Sequence, residues 1–227
     1  MDSGLILLAG GAGTRFNSDR PKQYLQGDDS SLLALVVTRM LELKMFDQIA
    51  LVVNPLDYSK WGPQLSEFGP AKIHLVEAGD SRFESIRNGV LFFESGDLLC
   101  DSATITVHDI VRPNATAGLF KKVIGLAKEV GTAVPVVVPK DGVLISDDGK
   151  TASATGKRGE IFLGQTPESF QWPLFRECVH AIPHVDWPAV SGTAEICIRG
   201  GERITMTDGE ENNVKVTFSC DWELIQW

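Results

Sequence analysis

Short apolar runs alternate with stretches of helical period along most of the chain. Leu5–Ala9 reads as a buried strand. Leu32–Leu43 reads as a helix with Ser30 or Ser31 as N-cap. Ile49–Val53 is a second strand, ended by Asn54-Pro55, and Lys72–Glu77 a third. A helix over Phe83–Glu94, a strand over Ala103–His108, a helix over Ala117–Val130 and a strand over Ala133–Val138 complete the alternation. Continuous β-rich runs joined by amphipathic helices predict an α/β fold: a Rossmann-like, mostly parallel sheet with helices on both faces. Functional loops then gather at the carboxyl ends of the strands.

The pattern breaks near Pro139. Gly142–Ser146 and Thr151–Thr155, around Asp147-Asp148-Gly149, predict a two-stranded hairpin. An isolated hairpin is marginal in water, so this arm, about residues 139–163, needs a partner surface. Late in the chain, Val214–Thr217 predicts a short strand with Lys215 on the face opposite Val214 and Val216. Asp221–Trp227 reads as a helix start that ends abruptly, as at the N-terminal part of a longer protein.

The 227 residues suit one domain with one substantial core. A formal charge of −9 argues against a general nucleic-acid surface, so any anion-binding cations are local. No apolar stretch approaches the ~20 residues of a membrane span, and Met1-Asp2-Ser3-Gly4 lacks the basic region of a signal peptide. Cys100, Cys178, Cys197 and Cys220 are widely spaced and read as buried free thiols. Cytoplasm is the expected location.

The chemistry starts where the first strand empties into Ala9-Gly10-Gly11-Ala12-Gly13-Thr14-Arg15, followed by Arg20-Pro21-Lys22-Gln23-Tyr24-Leu25. Glycines let backbone N–H groups approach phosphate oxygens, and Arg15 and Lys22 can hold the outer charges of a triphosphate. A dinucleotide fingerprint would need glycine where Phe16 stands, and no Gly-Lys-Ser/Thr follows to make a P-loop. The plainer reading is a tight turn after a buried strand.

Further segments fall at strand ends. In Gly79-Asp80-Ser81-Arg82-Phe83-Glu84-Ser85, Gly79 and Asp80 can read a base edge and Ser85 can bond at the helix start. Equally, Asp80 or Ser81 simply caps that helix. In His108-Asp109-Ile110-Val111-Arg112-Pro113, Asp109 can accept from polyol hydroxyls and Arg112 can fork onto a phosphate. The plainer reading is an internal Asp109–Arg112 ion pair, with His108 structural. Thr166 of Gln165-Thr166-Pro167 can present its hydroxyl, or lie in a plain loop. Lys215 is either an exposed edge lysine or aimed at an α-phosphate.

In this order these segments resemble the cytidylyltransferase family of methylerythritol-phosphate and ribitol-5-phosphate cytidylyltransferases, over nearly the whole chain from Leu7 to Thr217. The glycine loop alone is shared with sugar-1-phosphate nucleotidyltransferases. Its combination with Pro-Lys-Gln-Tyr-Leu, His-Asp-x-x-Arg-Pro, Gln-Thr-Pro and Asn-x-Lys-x-Thr is specific. The opening and the Thr193–Ile198 region look closer to the ribitol-phosphate branch.

The resemblance implies roles. Ala9, Gly10, Gly11, Ala12, Gly13 and Thr14 wrap CTP, with Arg15 and Lys22 on its β- and γ-phosphates. Gly79, Asp80 and Ser85 read cytosine and ribose. Asp109, Arg112 and Thr166 serve the acceptor, a small polyol phosphate or phosphonate. Arg158 grips the acceptor phosphate from the arm of a second subunit in a homodimer. Lys215 stabilises the α-phosphate, and Mg²⁺ bridges the CTP phosphates with no protein ligand assigned. The family commonly has Asp-Thr at Asp141-Gly142 and Thr-Asp at Ser191-Gly192, so both departures fall on the acceptor side. Lys22→Ala or Lys215→Ala is expected to lose about 10²-fold or more in kcat. The alternatives are a sugar-1-phosphate nucleotidyltransferase using another nucleotide and an inactive nucleotide-binding scaffold.

Overall fold

The computed structural model describes residues 1–11, 22–27, 30–57 and 73–227. Its strands are β1 (Ser3–Leu8), β2 (Gln48–Val53), β3 (Ile73–Glu77), β4 (Thr104–Asp109), β5 (Thr132–Val137), β6 (Leu144–Ile145), β7 (Ala154–Thr155), β8 (Leu163–Gly164), β9 (Glu168–Gln171) and β10 (Met206–Asp208). Its α-helices are α1 (Leu32–Leu43), α2 (Arg82–Ser95), α3 (Ala117–Val130), α4 (Trp172–Ala181) and α5 (Thr193–Arg199).

The main sheet runs β3-β2-β1-β4-β9-β5-β10, with β8 added on β5. β1 pairs parallel with β2 and β4, β2 with β3, and β5 with β10. β9 lies between β4 and β5 in the opposite sense, antiparallel to both, and β8 is antiparallel to β5 as well. The order reverses at β1, which has β2 on one side and β4 on the other. Crevices at such a switch point are where open α/β sheets bind ligands.

β1 is buried on both faces because it is apolar on both. Ile6 and Leu8 join Val52, Val107, Phe83 and Phe93 under α2, while Leu5 and Leu7 join Val36, Leu51 and Phe120 under α1 and α3. That is why the run shows no polar alternation. Ser31 caps α1 through Ala34 N at 3.2 Å. Ser81 caps α2 in a reciprocal box with Glu84.

Three readings are corrected. Val214–Thr217 forms no strand ladder: Val216 N donates to Val111 O at 2.8 Å, and side chains fasten the preceding turn. Arg112 and Asn114 donate to the Asn213 and Asn212 carbonyls at 2.7 and 3.1 Å. The alternation there is a consequence of one buried residue, Val216, not of a sheet. The predicted final helix is a short 3-10 turn, Ser219–Leu224. Of the four thiols, Cys178 and Cys197 are buried, but Cys100 and Cys220 are exposed.

The predicted hairpin is present but short, two residues on each strand. Leu144 is 67% exposed and Ile145 47%, so within one chain the arm buries almost none of its apolar surface. No described helix is long and apolar enough to cross a membrane.

Candidate active site

β1 delivers Ala9, Gly10 and Gly11 to the switch point. Ala9 N donates to Val52 O at 2.8 Å. Gly10 is there for space: a Cβ would stand 2.3 Å from Ala78 Cβ at the end of β3. The buried Gln23 donates from Nε2 to both the Ala9 and Gly11 carbonyls at 2.9 Å. Gln23 thereby pins the start of the glycine loop by its carbonyls. Gln23 stood in a quoted motif with no role; its neighbour Lys22 drew attention by charge. Ala12, Gly13, Thr14 and Arg15 lie outside the described residues, and Lys22 is described by its backbone, opening the 3-10 turn Lys22–Tyr24.

At the end of β3, Gly79 fits because a Cβ would meet Glu84 Cβ at 2.2 Å. Its amide donates to Ser85 Oγ at 3.2 Å, and Ser85 Oγ donates onward to Ser81 O at 2.9 Å. Ser81, not Asp80, is the cap, and Asp80 is left exposed.

β4 extends one residue beyond its predicted end and finishes on Asp109, 4% exposed. The plainer reading, an internal Asp109–Arg112 side-chain pair, is not what forms. Asp109 Oδ1 instead meets Arg82 NH1 at 2.5 Å, and Oδ2 meets Lys215 Nζ at 2.9 Å. Burial opposes its charge, but Arg82 and then Lys215 overcome that and hold the carboxyl well below the usual carboxylate range. Arg112 folds back, NH1 donating to the Asn213 carbonyl at 2.7 Å and NH2 toward Gly164 O at 3.4 Å, while its buried Nε has no partner among the described residues.

Thr166, before a cis peptide to Pro167, does not present its hydroxyl freely. Oγ accepts from Asp109 N at 3.1 Å and lies 3.1 Å from His108 Nδ1. His108 Nε2 faces the Arg112 carbonyl at 3.2 Å. A carbonyl only accepts, so Nε2 carries the proton, Nδ1 is bare, and the Thr166 hydroxyl donates to it. Burial lowers the His108 pKa to about 4, keeping it neutral. The histidine is structural, and its chain of bonds braces the Asp109 loop.

Arg158 is exposed on the arm, and its guanidinium pairs with no described residue. Gly142 and Gly192 each have open space where a Cβ would stand, so the two acceptor-side departures are not forced by crowding. Ser191 donates from N and Oγ to Glu195 Oε2 at 2.9 and 3.0 Å.

Arg82 and Glu168 were quoted without roles. Glu168, 6% exposed on β9, has a buried Oε2 without a hydrogen-bond partner among the described residues. Burial pushes its pKa up to about 7, against the pull of Thr193, Arg82 and the Ala194 amide. The folded protein therefore keeps this proton from pH 4.5 to about 7 while the unfolded chain has lost it, and stability falls as pH rises through that window. His108 acts oppositely: unfolded, it binds a proton below 6.5, folded only below about 4, so stability rises with pH between those values. Where the windows overlap the two slopes nearly cancel. Glu168→Gln is expected to expose the histidine: the unfolding free energy from urea titrations then rises with pH from 4.5 to 6.5, at up to about 1.4 kcal/mol per pH unit. A variant profile as flat as the parent's would contradict both assignments.

The sequence model of one family, described as IspD: 2-C-methyl-D-erythritol 4-phosphate cytidylyltransferase, matches residues 4–227. The protein of that name from Clostridium botulinum is 29% identical over 219 residues, covering 95% of this chain and 94% of its own. Its namesake from Clostridium beijerinckii is 29% identical over 224 residues, covering 98% and 96%. The crystal structure of 2-C-methyl-D-erythritol 4-phosphate cytidylyltransferase from Francisella tularensis superposes with a TM-score of 0.82 at 21% identity, over 98% of this chain and 97% of that one, a likeness of fold. These names correct the lean toward the ribitol-phosphate branch, which rested on two short segments and is outweighed by a match over the whole length. From the glycine loop to the late lysine, this chain belongs to the IspD, or 2-C-methyl-D-erythritol 4-phosphate cytidylyltransferase, family.

Proposed function

We propose that this cytidylyltransferase transfers CMP from CTP to 2-C-methyl-D-erythritol 4-phosphate in the cytoplasm, releasing pyrophosphate. The observation that carries the reading is Asp109, buried between Arg82 and Lys215 at the end of β4, one strand away from the Ala9–Gly11 loop. The acceptor phosphate is already anionic, so its oxygen attacks the α-phosphorus in line with no general base. Catalysis is then positioning and charge neutralisation. Gly10, Gly11 and the loop beyond cradle the triphosphate, with Arg15 and Lys22 on its outer charges. Gly79, Asp80 and Ser85 receive cytosine and ribose. Lys215 faces the α-phosphate, and Asp109 and Arg112 orient the acceptor. Thr166 acts there through the Asp109 amide.

Both Asp109 oxygens are committed to cations, and no cluster of three or more His, Cys, Asp or Glu among the described residues is arranged for a metal. Mg²⁺ carried in on the CTP phosphates would neutralise charge on the transferring group. The arm joins two chains: its exposed Leu144 and Ile145 find cover, and Arg158 reaches the partner's acceptor phosphate.

The test is pyrophosphate release with CTP and Mg²⁺ against methylerythritol phosphate, ribitol-5-phosphate, glycerol phosphates and phosphonates, with UTP, ATP and GTP as controls. Turnover is expected with CTP and methylerythritol phosphate. Preference for another acceptor overturns the substrate, and silence with every pair overturns the transfer itself.

A further inference from the structure

Arg82 is out of place locally. It opens α2, where the helix field favours an acid and disfavours a cation. Its explanation is tertiary. NH1 reaches Asp109 Oδ1 at 2.5 Å, 27 residues along the chain. Its own turn is fixed to the nucleotide-side loop by the Ser81–Glu84 capping box and by Ser85 under Gly79 N. Asp109's other oxygen takes Lys215 Nζ at 2.9 Å. One carboxylate thus joins the loop assigned to cytidine and the lysine assigned to the α-phosphate.

The groups facing this guanidinium decide which acid it serves. Asp109 on β4 is ionised. Glu168 on β9 is buried and largely protonated up to about pH 7. Arg112 beyond β4 adds positive charge nearby, and from α5 Thr193, the Ala194 amide and the buried Cys197 also face Glu168. Arg82 therefore spends its charge on Asp109.

Building on the proposed transfer, we propose that Arg82 is a positioning residue: it fixes the Asp109 carboxylate so that Lys215 keeps its charge directed at the phosphates rather than into a closed Lys215–Asp109 pair. With Arg82 present, one negative group meets two cations, and a net positive charge remains for the ligand. Without it, Asp109 and Lys215 neutralise each other.

A double-mutant cycle with Arg82→Ala, Arg82→Lys, Asp109→Asn and Arg82→Ala/Asp109→Asn tests this, read by kcat/KM for whichever acceptor the parent uses and by KM for CTP. Arg82→Ala is expected to lose about 10- to 100-fold in kcat/KM for the acceptor, with KM for CTP moved less than about threefold. Arg82→Lys should recover part of the loss, having the charge but not the fork. In the Asp109→Asn background, Arg82→Ala should add less than about threefold. Losses that multiply independently, or an Arg82→Ala enzyme within about threefold of the parent, overturn the proposal while leaving the transfer intact. If the parent transfers nothing, the function falls separately. The same cycle is then read by urea midpoints: strictly additive shifts overturn the Arg82–Asp109 link, and non-additive shifts support it.

Discussion

Lys215→Ala is expected to lower kcat by about 10²-fold or more while moving the unfolding midpoint little. The lysine sits on a segment anchored by Val216 N to Val111 O and by Arg112 and Gln165 on the Asn213 carbonyl, none of which needs its side chain. Its side chain is 40% exposed, with Nζ 2.9 Å from Asp109 Oδ2, so it spans the buried carboxylate and open solvent. Removing it leaves Asp109 its bond to Arg82, and the stability cost is that of a half-exposed pair, about 1 kcal/mol at most. Charge developing on the α-phosphate, by contrast, loses a pre-positioned cation, and one such donor is worth about 3–4 kcal/mol in the transition state. Single-turnover pyrophosphate release beside a urea titration separates the two effects. Turnover within about threefold of the parent would take Lys215 out of the chemistry.

What the sequence discloses here follows from how local each cause is. β1, β2 and β5 are legible because strands buried on both faces are mostly apolar, and β4 because Ile105 and Val107 alternate with Thr104, Thr106 and His108. Ser31 and α3 are legible because caps and helical periods are short-range. Asp109 stands out as an acid at a strand end, stopped by Pro113. Its partners do not, because they lie 27 and 106 residues away, and the nearer Arg112 is drawn off to the Asn213 carbonyl. β9 escapes notice for a similar reason: four residues, Glu168–Gln171, become a strand only by inserting antiparallel between β4 and β5. Gln23 and Thr166 sit in visible motifs, yet their bonds to the Ala9 carbonyl and the Asp109 amide are set by the fold. Arg82 left one local trace, a cation in the first turn of a helix, where neither capping nor the helix field calls for it.

Asp109→Asn is expected to cost about 3 kcal/mol of stability at pH 7, besides lowering turnover to a still measurable level. Breaking a buried ion pair by removing one partner leaves charge uncompensated, typically about 3–5 kcal/mol. Here Arg82 and Lys215 keep 27% and 40% of their side-chain exposure, which puts the cost at the lower end. The amide cannot substitute: one of its two ends must turn an N–H toward a cation where the carboxylate offered an oxygen to each. At a urea dependence of about 3 kcal/mol per M, the midpoint falls by about 1 M. The sign with pH is fixed by the depressed carboxyl. The unfolded aspartate takes up its proton near 3.8, while the folded one holds out well below that. The advantage of the parent is therefore complete above about pH 5 and drains away as pH falls through and below 3.8. Urea titrations of both proteins at pH 7 and pH 3.5, at fixed protein concentration, should show the gap narrowing in acid. A gap that is absent at pH 7, or that widens in acid, would mean that Asp109 is not the buried counter-ion of Arg82 and Lys215.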